Sequence, residues 1–143
     1  MLNLFAYGTL MDPDIMTQVS GSAHRGRPAT LPDYIRRTLK KEVYPAIIPH
    51  ADAIVEGVLY VDVSPGAFDR LDQFEGPLYV RTGVLVNVND EERVAAQTYV
   101  LGAAHTDRLS DTDWSYELFL KRNKNSFQSI YRGFHSLDNP KPA

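Results

Sequence analysis

The sequence predicts an α+β domain built on a small mixed sheet that is strongly twisted or closed on itself. Short β-rich segments recur between turn signals, only a few stretches read as helices with marked ends, and nothing alternates regularly enough for parallel βαβ units. Short strands with few helices to cover them must bury their faces by curling. At 143 residues the chain has the length of one domain, enough to bury about two-thirds of its unfolded surface. Residues 1–138 are expected to form it, without internal repeats or an interdomain linker.

Leu2 to Tyr7 reads as the first strand, broken at Gly8. Asp12-Pro13 caps a brief helix through Val19, with Ile15, Met16 and Val19 facing inward and Ser20-Gly21-Ser22 ending it. Arg25 to Lys40, carrying Pro28 and Pro32, is expected to hold one or two irregular strands. Tyr44-Pro45-Ala46-Ile47-Ile48-Pro49 is fenced by prolines and is expected to be a buried loop or edge piece rather than a central strand. Two clearer strands are Ile54–Val63 and Tyr79–Val88; the second puts Val80, Thr82, Val84, Val86 and Val88 on one face. Asn89-Asp90-Glu91-Glu92 turns into a return strand, Val94–Leu101. A helix is predicted from Asp111 to Tyr131, with Trp114, Leu118, Phe127 and Tyr131 as core positions. Residues 139–143, Asn-Pro-Lys-Pro-Ala, are expected to form a disordered tail.

Composition excludes several function classes. The net charge of −3 offers no basic field for nucleic acid or an anionic membrane. There is no cysteine, hence no disulfide, thiol nucleophile or thiolate metal site. The first residues lack the basic lead and apolar run of a signal peptide, and no segment approaches the ~20 apolar residues of a membrane-spanning helix. A cytoplasmic protein is expected.

The most informative segment is Phe74-Glu75-Gly76-Pro77-Leu78. Ser64 and Pro65 mark a helix start, Gly76 can take the left-handed stop and Pro77 forbids continuation. With Phe68 at zero, Leu71 projects at about 300° and Glu75 at about 340°, so the carboxylate falls among apolar side chains. It also lies in the last turn, at the negative end of the helix dipole, which disfavours an anion by roughly 0.3–1 kcal/mol. Burial of an acid can raise its pKa by up to ~3–5 units, which suits a proton acceptor near neutral pH. The competing reading is that the last turn frays and Glu75 swings into solvent. Asp69 points away at about 100°; Asp72, at about 40°, is the rival acid.

Other catalytic patterns are missing. His24, His50, His105 and His135 show no metal-ligand spacing. Residues 21–26 have the glycine spacing of a phosphate loop, but Arg27-Pro28 stands where Lys-Ser/Thr is required. No G-x-S-x-G elbow and no dinucleotide fingerprint occur. Asp90-Glu91-Glu92 fits a solvated turn. An enzyme with this sequence is expected to use no metal and no cofactor.

Tyr7-Gly8-Thr9-Leu10 follows the first strand directly. A glycine there lets successive backbone N–H groups face a ligand oxygen, although an ordinary strand-to-helix turn has the same look. The ordered series is more specific: residues 5–10 (FAYGTL), 44–48 (YPAII), 55–60 (VEGVLY) and 71–76 (LDQFEG), followed by Tyr79-Val80-Arg81. It resembles the gamma-glutamylcyclotransferase-like family, and the short YGTL form looks like the gamma-glutamylamine branch. The resemblance spans about Leu2 to Leu101, with the Trp114 region a looser match. It implies a small mixed sheet closing into a barrel, helices packed outside, Glu75 as catalytic acid/base, and Tyr7, Gly8, Thr9 and Leu10 lining the substrate site. Two departures stand out. Met11-Asp12-Pro13 replaces a basic, glycine-containing continuation, and the loops of the glutathione-specific branches are missing.

Tyr44, Tyr79 and Arg81 are further candidates for substrate contact. Tyr79 and Arg81 alternate on one strand face, so both approach the pocket or both face water. The expected reaction is intramolecular aminolysis of a small gamma-glutamyl amide, closing 5-oxoproline and expelling an amine. Two alternatives stay open: removal or transfer of a gamma-glutamyl group in a biosynthetic pathway, and a non-catalytic small-ligand-binding protein on the same fold.

Overall fold

The computed structural model describes residues 1–131. Five strands, β1 (Leu2–Ala6), β2 (Gly26–Thr38), β3 (Pro45–Val63), β4 (Tyr79–Asn87) and β5 (Arg93–Leu101), close into a barrel in the order β1-β3-β2-β4-β5. The expected closed mixed sheet is what the chain forms. All neighbours are antiparallel except β1 and β5, which meet in parallel at Leu4 and Gln97. The β2–β4 seam is short, pairing Thr30 with Asn87. β1 lies between β3 and β5, and where it crosses β3 the Gly57 backbone approaches Ala6 O and the Phe5 ring so closely that any Cβ would collide.

The strand alternation sorts side chains between two cores. Leu4 joins Ile15, Met16, Val19, Phe68, Leu71 and Phe74 on the outside of the barrel, while Phe5 joins Leu31, Ile47, Val55, Leu59 and Val86 inside it. The outer cluster belongs to α1 (Pro13–Ser20) and α2 (Pro65–Glu75), which pack on one another. Burying one such phenylalanine or leucine side chain contributes roughly 1.5–3 kcal/mol. Asp12 caps α1 as expected, accepting from the Ile15 amide at 3.2 Å. Arg70 of α2 donates to Val19 O at 2.7 Å, satisfying a carbonyl at the end of α1.

One expectation needs correction and two are made definite. Arg25 to Lys40 holds one irregular strand; Pro28 and Pro32 are accommodated, and the register shifts between Pro32 and Tyr34, where Asp33, with φ 64°, opposes the extra residues 50–53 of β3. Residues 44–49 take the edge-piece alternative and not the loop: Pro45 to Pro49 begins β3 and pairs with Thr38 to Tyr34. This outer half of β3 lies beyond the stretch paired with β1, which starts at Val58, so its prolines need no ladder donors on that side. Finally, the 111–131 helix is two short ones, α3 (Tyr116–Arg122) and α4 (Lys124–Ile130), broken at Asn123 with φ −126°. Ser115 starts α3 by accepting from the Leu118 amide. That start buries Phe119 and leaves Leu118 46% exposed, so Leu118 is not a core residue.

Lys124 then pairs with Asp12 at 2.9 Å and Asp14 at 2.8 Å, tying the start of α4 to the start of α1. Among the described residues no helix is long and apolar enough to cross a membrane. The proposed tail at 139–143, the end of the expected domain and His135 lie outside the described residues.

Candidate active site

α2 delivers Glu75 as its last residue. Ser64 Oγ accepts from the Ala67 amide at 3.1 Å, Pro65 takes the first helical position, and Gly76 leaves the helix at φ 79°. The Gly76 amide still closes on Asp72 O, so the final turn is wound and does not fray. Phe68, Leu71 and Phe74 face the core, and Glu75 is carried beside Phe74 into a cavity of about 30 Å³. The residue keeps some solvent access through the cavity mouth, but protein packs around its carboxyl, and this density governs its protonation. Among the described residues no hydrogen bond or ion pair engages the Glu75 carboxylate. Burial, helped by the nearby Asp72 charge, pushes its pKa up to about 8.

The opposite wall is the turn after β1. Tyr7 is buried and donates its phenol to Tyr99 O at 2.6 Å, and Thr98 Oγ1 donates to Phe5 O at 2.9 Å, so β5 fixes the end of β1 from the side. Gly8 then presses on Pro45; a Cβ there would stand 3.0 Å from the proline Cγ and Cδ. Thr9–Met11 form a single 3-10 turn in which Gly8 O and Thr9 O accept from the Met11 and Asp12 amides. The amides of Gly8, Thr9 and Leu10 make no hydrogen bond to a described residue. They lie in the lining of the cavity that holds Glu75. Successive unpaired N–H groups of this kind suit an oxyanion or a carboxylate.

The remaining lining is aromatic. Tyr44, Phe74, Tyr79, Tyr99, Phe127 and Tyr131 complete the wall. Tyr79 donates to Pro45 O at 2.8 Å and Tyr131 to Phe74 O at 2.9 Å. Burial raises the phenols of Tyr7, Tyr44, Tyr79, Tyr99 and Tyr131 above their ordinary range, so all five stay neutral across the physiological pH range. Phe127 and Tyr131 stack at 4.6 Å and line the same cavity as Glu75. Among the described residues no lysine, arginine or histidine belongs to the lining. Among the described residues no group of three or more histidine, aspartate or glutamate side chains is placed to hold a metal ion.

Of the candidates named from sequence, Glu75, Tyr7, Gly8, Thr9, Leu10, Tyr44 and Tyr79 meet in this one cavity. Arg81 does not. Its guanidinium lies over the Phe68 ring at 4.7 Å, with Nε 3.3 Å from Asp72, so the strand carries Tyr79 and Arg81 to different surroundings. The sequence reading missed Tyr99, which joins Tyr7 to Asp72 by accepting from one and donating to the other at 2.6 Å. It also missed Arg36, whose Nη1 donates to Tyr7 O at 3.1 Å. Neither carries a local signal, because both act on partners far away in sequence.

A wider groove of about 1230 Å³ follows the β2–β4 seam past Arg27, Glu56, Asn87 and Asp90. It is open, its charges are mixed, and it contains neither Glu75 nor the Tyr7–Leu10 turn. Size favours the groove as a binding site; the chemistry favours the small cavity, where a desolvated acid faces unpaired donors.

Comparison with known proteins gives the family. AIG2-like protein D from Arabidopsis thaliana is 31% identical over 144 residues, covering 99% of this chain and 94% of that one. A solution structure of another Arabidopsis thaliana protein superposes with a TM-score of 0.70 at 27% identity, covering 97% of this chain and 85% of that one. A solved structure described as a gamma-glutamyl cyclotransferase shares the fold, with a TM-score of 0.64 at 16% identity over 99% of this chain and 89% of its own. The sequence pattern described as Gamma-glutamyl cyclotransferase, AIG2-like matches residues 4–116, which takes in both the Tyr7–Leu10 turn and Glu75. By sequence pattern and relatives together, the chain belongs to that gamma-glutamyl cyclotransferase, AIG2-like family.

Proposed function

We propose that the chain is a gamma-glutamyl cyclotransferase that converts a small gamma-glutamyl amide to 5-oxoproline and a free amine, with Glu75 as general acid/base. The observation that carries this is the unpartnered Glu75 carboxyl, its pKa raised by burial, facing the free amides of Gly8, Thr9 and Leu10 across one small cavity. The substrate supplies its own nucleophile, the α-amine, so no side chain needs to be nucleophilic. Glu75 takes a proton from the α-ammonium, and the amine nitrogen bonds to the γ-carbonyl carbon. The carbonyl electron pair moves onto oxygen, where the turn amides receive it. As the carbonyl reforms, the amide C–N bond breaks, Glu75 gives its proton to the leaving nitrogen, and the second proton of the ring nitrogen then passes by way of Glu75 to the expelled amine, which departs as the ammonium ion. Closing a five-membered ring within one molecule can supply an effective molarity of order 10⁵–10⁸ M. The protein's task is to hold the curled conformer and carry protons from the attacking to the leaving nitrogen.

Tyr7 and the turn hold the glutamyl end, and Tyr44 and Tyr79 flank it. Ligand pockets commonly measure ~300–1,000 Å³, whereas about 30 Å³ is little more than room for one water. Substrate entry therefore displaces part of the wall. Mass spectrometry of purified protein with a panel of gamma-glutamyl amines and dipeptides, scored for 5-oxoproline, tests the reading. Formation of 5-oxoproline by wild type and its loss in Glu75→Gln supports it. Glutamate transferred to water or a second amine, with no lactam, would replace it with gamma-glutamyl transfer. Ligand binding with no turnover across the panel would make the chain a binding protein.

A further inference from the structure

Arg36 stands on β2, outside the cavity, and is held more firmly than an exposed strand arginine needs to be. Its side chain is 16% exposed. Nη1 donates to Tyr7 O at 3.1 Å and to Glu56 O at 3.2 Å, while Nε meets Asp113 Oδ1 at 3.2 Å. The guanidinium plane lies against the Trp114 ring, 5.6 Å from its centre. A guanidinium fixed at carboxylate, carbonyl and aromatic face has little freedom left.

The Tyr7 carbonyl belongs to the same peptide unit as the Gly8 N–H. That unit is planar and trans, so its C=O and N–H point in opposite directions. An arginine that draws Tyr7 O to one side turns the Gly8 N–H to the other, and Gly8 lines the Glu75 cavity. We infer that Arg36 is a positioning residue for the reaction: through the Tyr7–Gly8 peptide it aims, and by polarising that peptide strengthens, the first donor of the Gly8–Leu10 turn. This rests on the cyclotransferase reading of the cavity. The arrangement also explains why Asp113 and Trp114, remote from Glu75 in the chain, belong to the machinery: they hold the arginine. A charge-assisted bond to a carbonyl makes the amide on the same peptide a better donor, and in a low-dielectric cavity that gain is not screened away. The Arg36 charge is felt at the site, since it opposes the upward shift of the Tyr7 phenol.

The test compares Arg36→Ala, Arg36→Lys and Glu75→Gln with wild type, using L-γ-glutamyl-n-butylamide as probe and counting 5-oxoproline. Losing one well-aimed oxyanion donor costs ~10²–10³ in kcat, so Arg36→Ala is expected to lose up to roughly 10²-fold in kcat with KM little changed. Arg36→Lys, which keeps the charge but not the fork, recovers only part of it. Millimolar ethylguanidine restores activity to Arg36→Ala and leaves wild type unchanged. Loss that merely tracks the folded fraction, with no rescue, overturns the inference. A wild-type-like Arg36→Ala beside an inactive Glu75→Gln overturns it while sparing the cyclotransferase reading; a fully active Glu75→Gln sinks that reading instead. A proton–nitrogen correlation spectrum without ligand gives a readout independent of turnover. The Gly8, Thr9 and Leu10 amide resonances are expected to move in Arg36→Ala while the α1 and α2 resonances hold. Coincident turn resonances would overturn the role of Arg36 whatever the probe does.

Discussion

Asp72 and Glu75, one turn apart on α2, divide the neighbouring donors completely unequally. Asp72 accepts the Tyr99 phenol at 2.6 Å and lies 3.3 Å from Arg81 Nε. Glu75 receives nothing from a described residue and bears the Asp72 charge besides. Two carboxyls on one helix thus have opposite surroundings, Asp72 engaged by a phenol and a guanidinium and Glu75 raised in pKa by burial.

Glu75→Gln keeps shape and removes the titrating proton. Turnover of the gamma-glutamyl probe is expected to fall by roughly 10²–10⁴ with little change in substrate affinity. A variant that turns over at the wild-type rate would contradict the assignment.

The same residue sets a pH dependence of stability. Its folded pKa, about 8, lies above its ordinary 4.5, so between these values the folded state holds more protons than the unfolded state. Stability therefore declines as pH rises through that window, and the loss is complete above pH 8. Glu75→Gln lacks this penalty. Melting temperatures of the two proteins should converge near pH 4.5 and separate towards pH 8.5, with the variant higher; parallel curves would show that the carboxyl is solvated.

Asp72→Asn removes the second cause of the Glu75 shift and leaves the first, burial, in place. Turnover should persist, and the acidic limb of kcat/KM against pH should move to lower pH without reaching the usual carboxylate range. Loss of activity here, with Glu75→Gln active, would move the proton-transfer role one turn back along α2.

Gly8→Val meets the Pro45 ring at 3.0 Å from its Cβ alone. The φ of −131° at Gly8 imposes no left-handed constraint, so the clash is local to the turn. Activity is expected to fall ~10²–10³-fold while urea unfolding stays cooperative. Activity that simply follows the amount of folded protein would make Gly8 structural.

Asp12 caps α1 and holds Lys124 of α4 at once. Asp12→Ala should cost about 1–2 kcal/mol in urea unfolding, the range for a lost cap. Asp12→Asn keeps a capping oxygen and should cost less, and Asp14→Ala, at a carboxylate 77% exposed, less again. Equal losses at Asp12 and Asp14 would assign the effect to the ion pair rather than to the cap.

Much of the cavity was legible because its signals are local. Ser64-Pro65 and Gly76-Pro77 bracket α2 within a dozen residues, and the projection from Phe68 puts Glu75 inward without knowledge of its neighbours. Tyr7-Gly8 is similarly written at the end of β1. Legibility ends where partners are remote. Prolines made residues 25–49 look irregular, because nothing in the sequence reveals that β3 begins beyond the reach of β1 and tolerates them there. The 111–131 periodicity passes through Asn123 unbroken, while the partners that hold α4, Asp12 and Asp14 for Lys124, lie about 110 positions away in the chain. Arg36 reads as an ordinary polar strand residue until Tyr7 and Asp113 are seen beside it. Arg81 misled for the reverse reason: an alternation rule cannot say that Asp72 will claim the guanidinium.

The bond from Tyr7 to Tyr99 spans 92 positions, and Thr98 reaches Phe5 across 93. Contacts of such separation form late, since the loop between must be closed before they return any free energy. Of the five strands β1 is thus synthesised before the others and secured among the last, waiting for β3 and then for β5. Until Leu101 has emerged, Gly8, Thr9 and Leu10 have no fixed frame, and an unpaired β1 presents an exposed edge to other chains. For this barrel, fixing the Tyr7–Leu10 turn and completing the fold are one kinetic event, and a chain cut short before β5 can be expected to leave that turn without its frame.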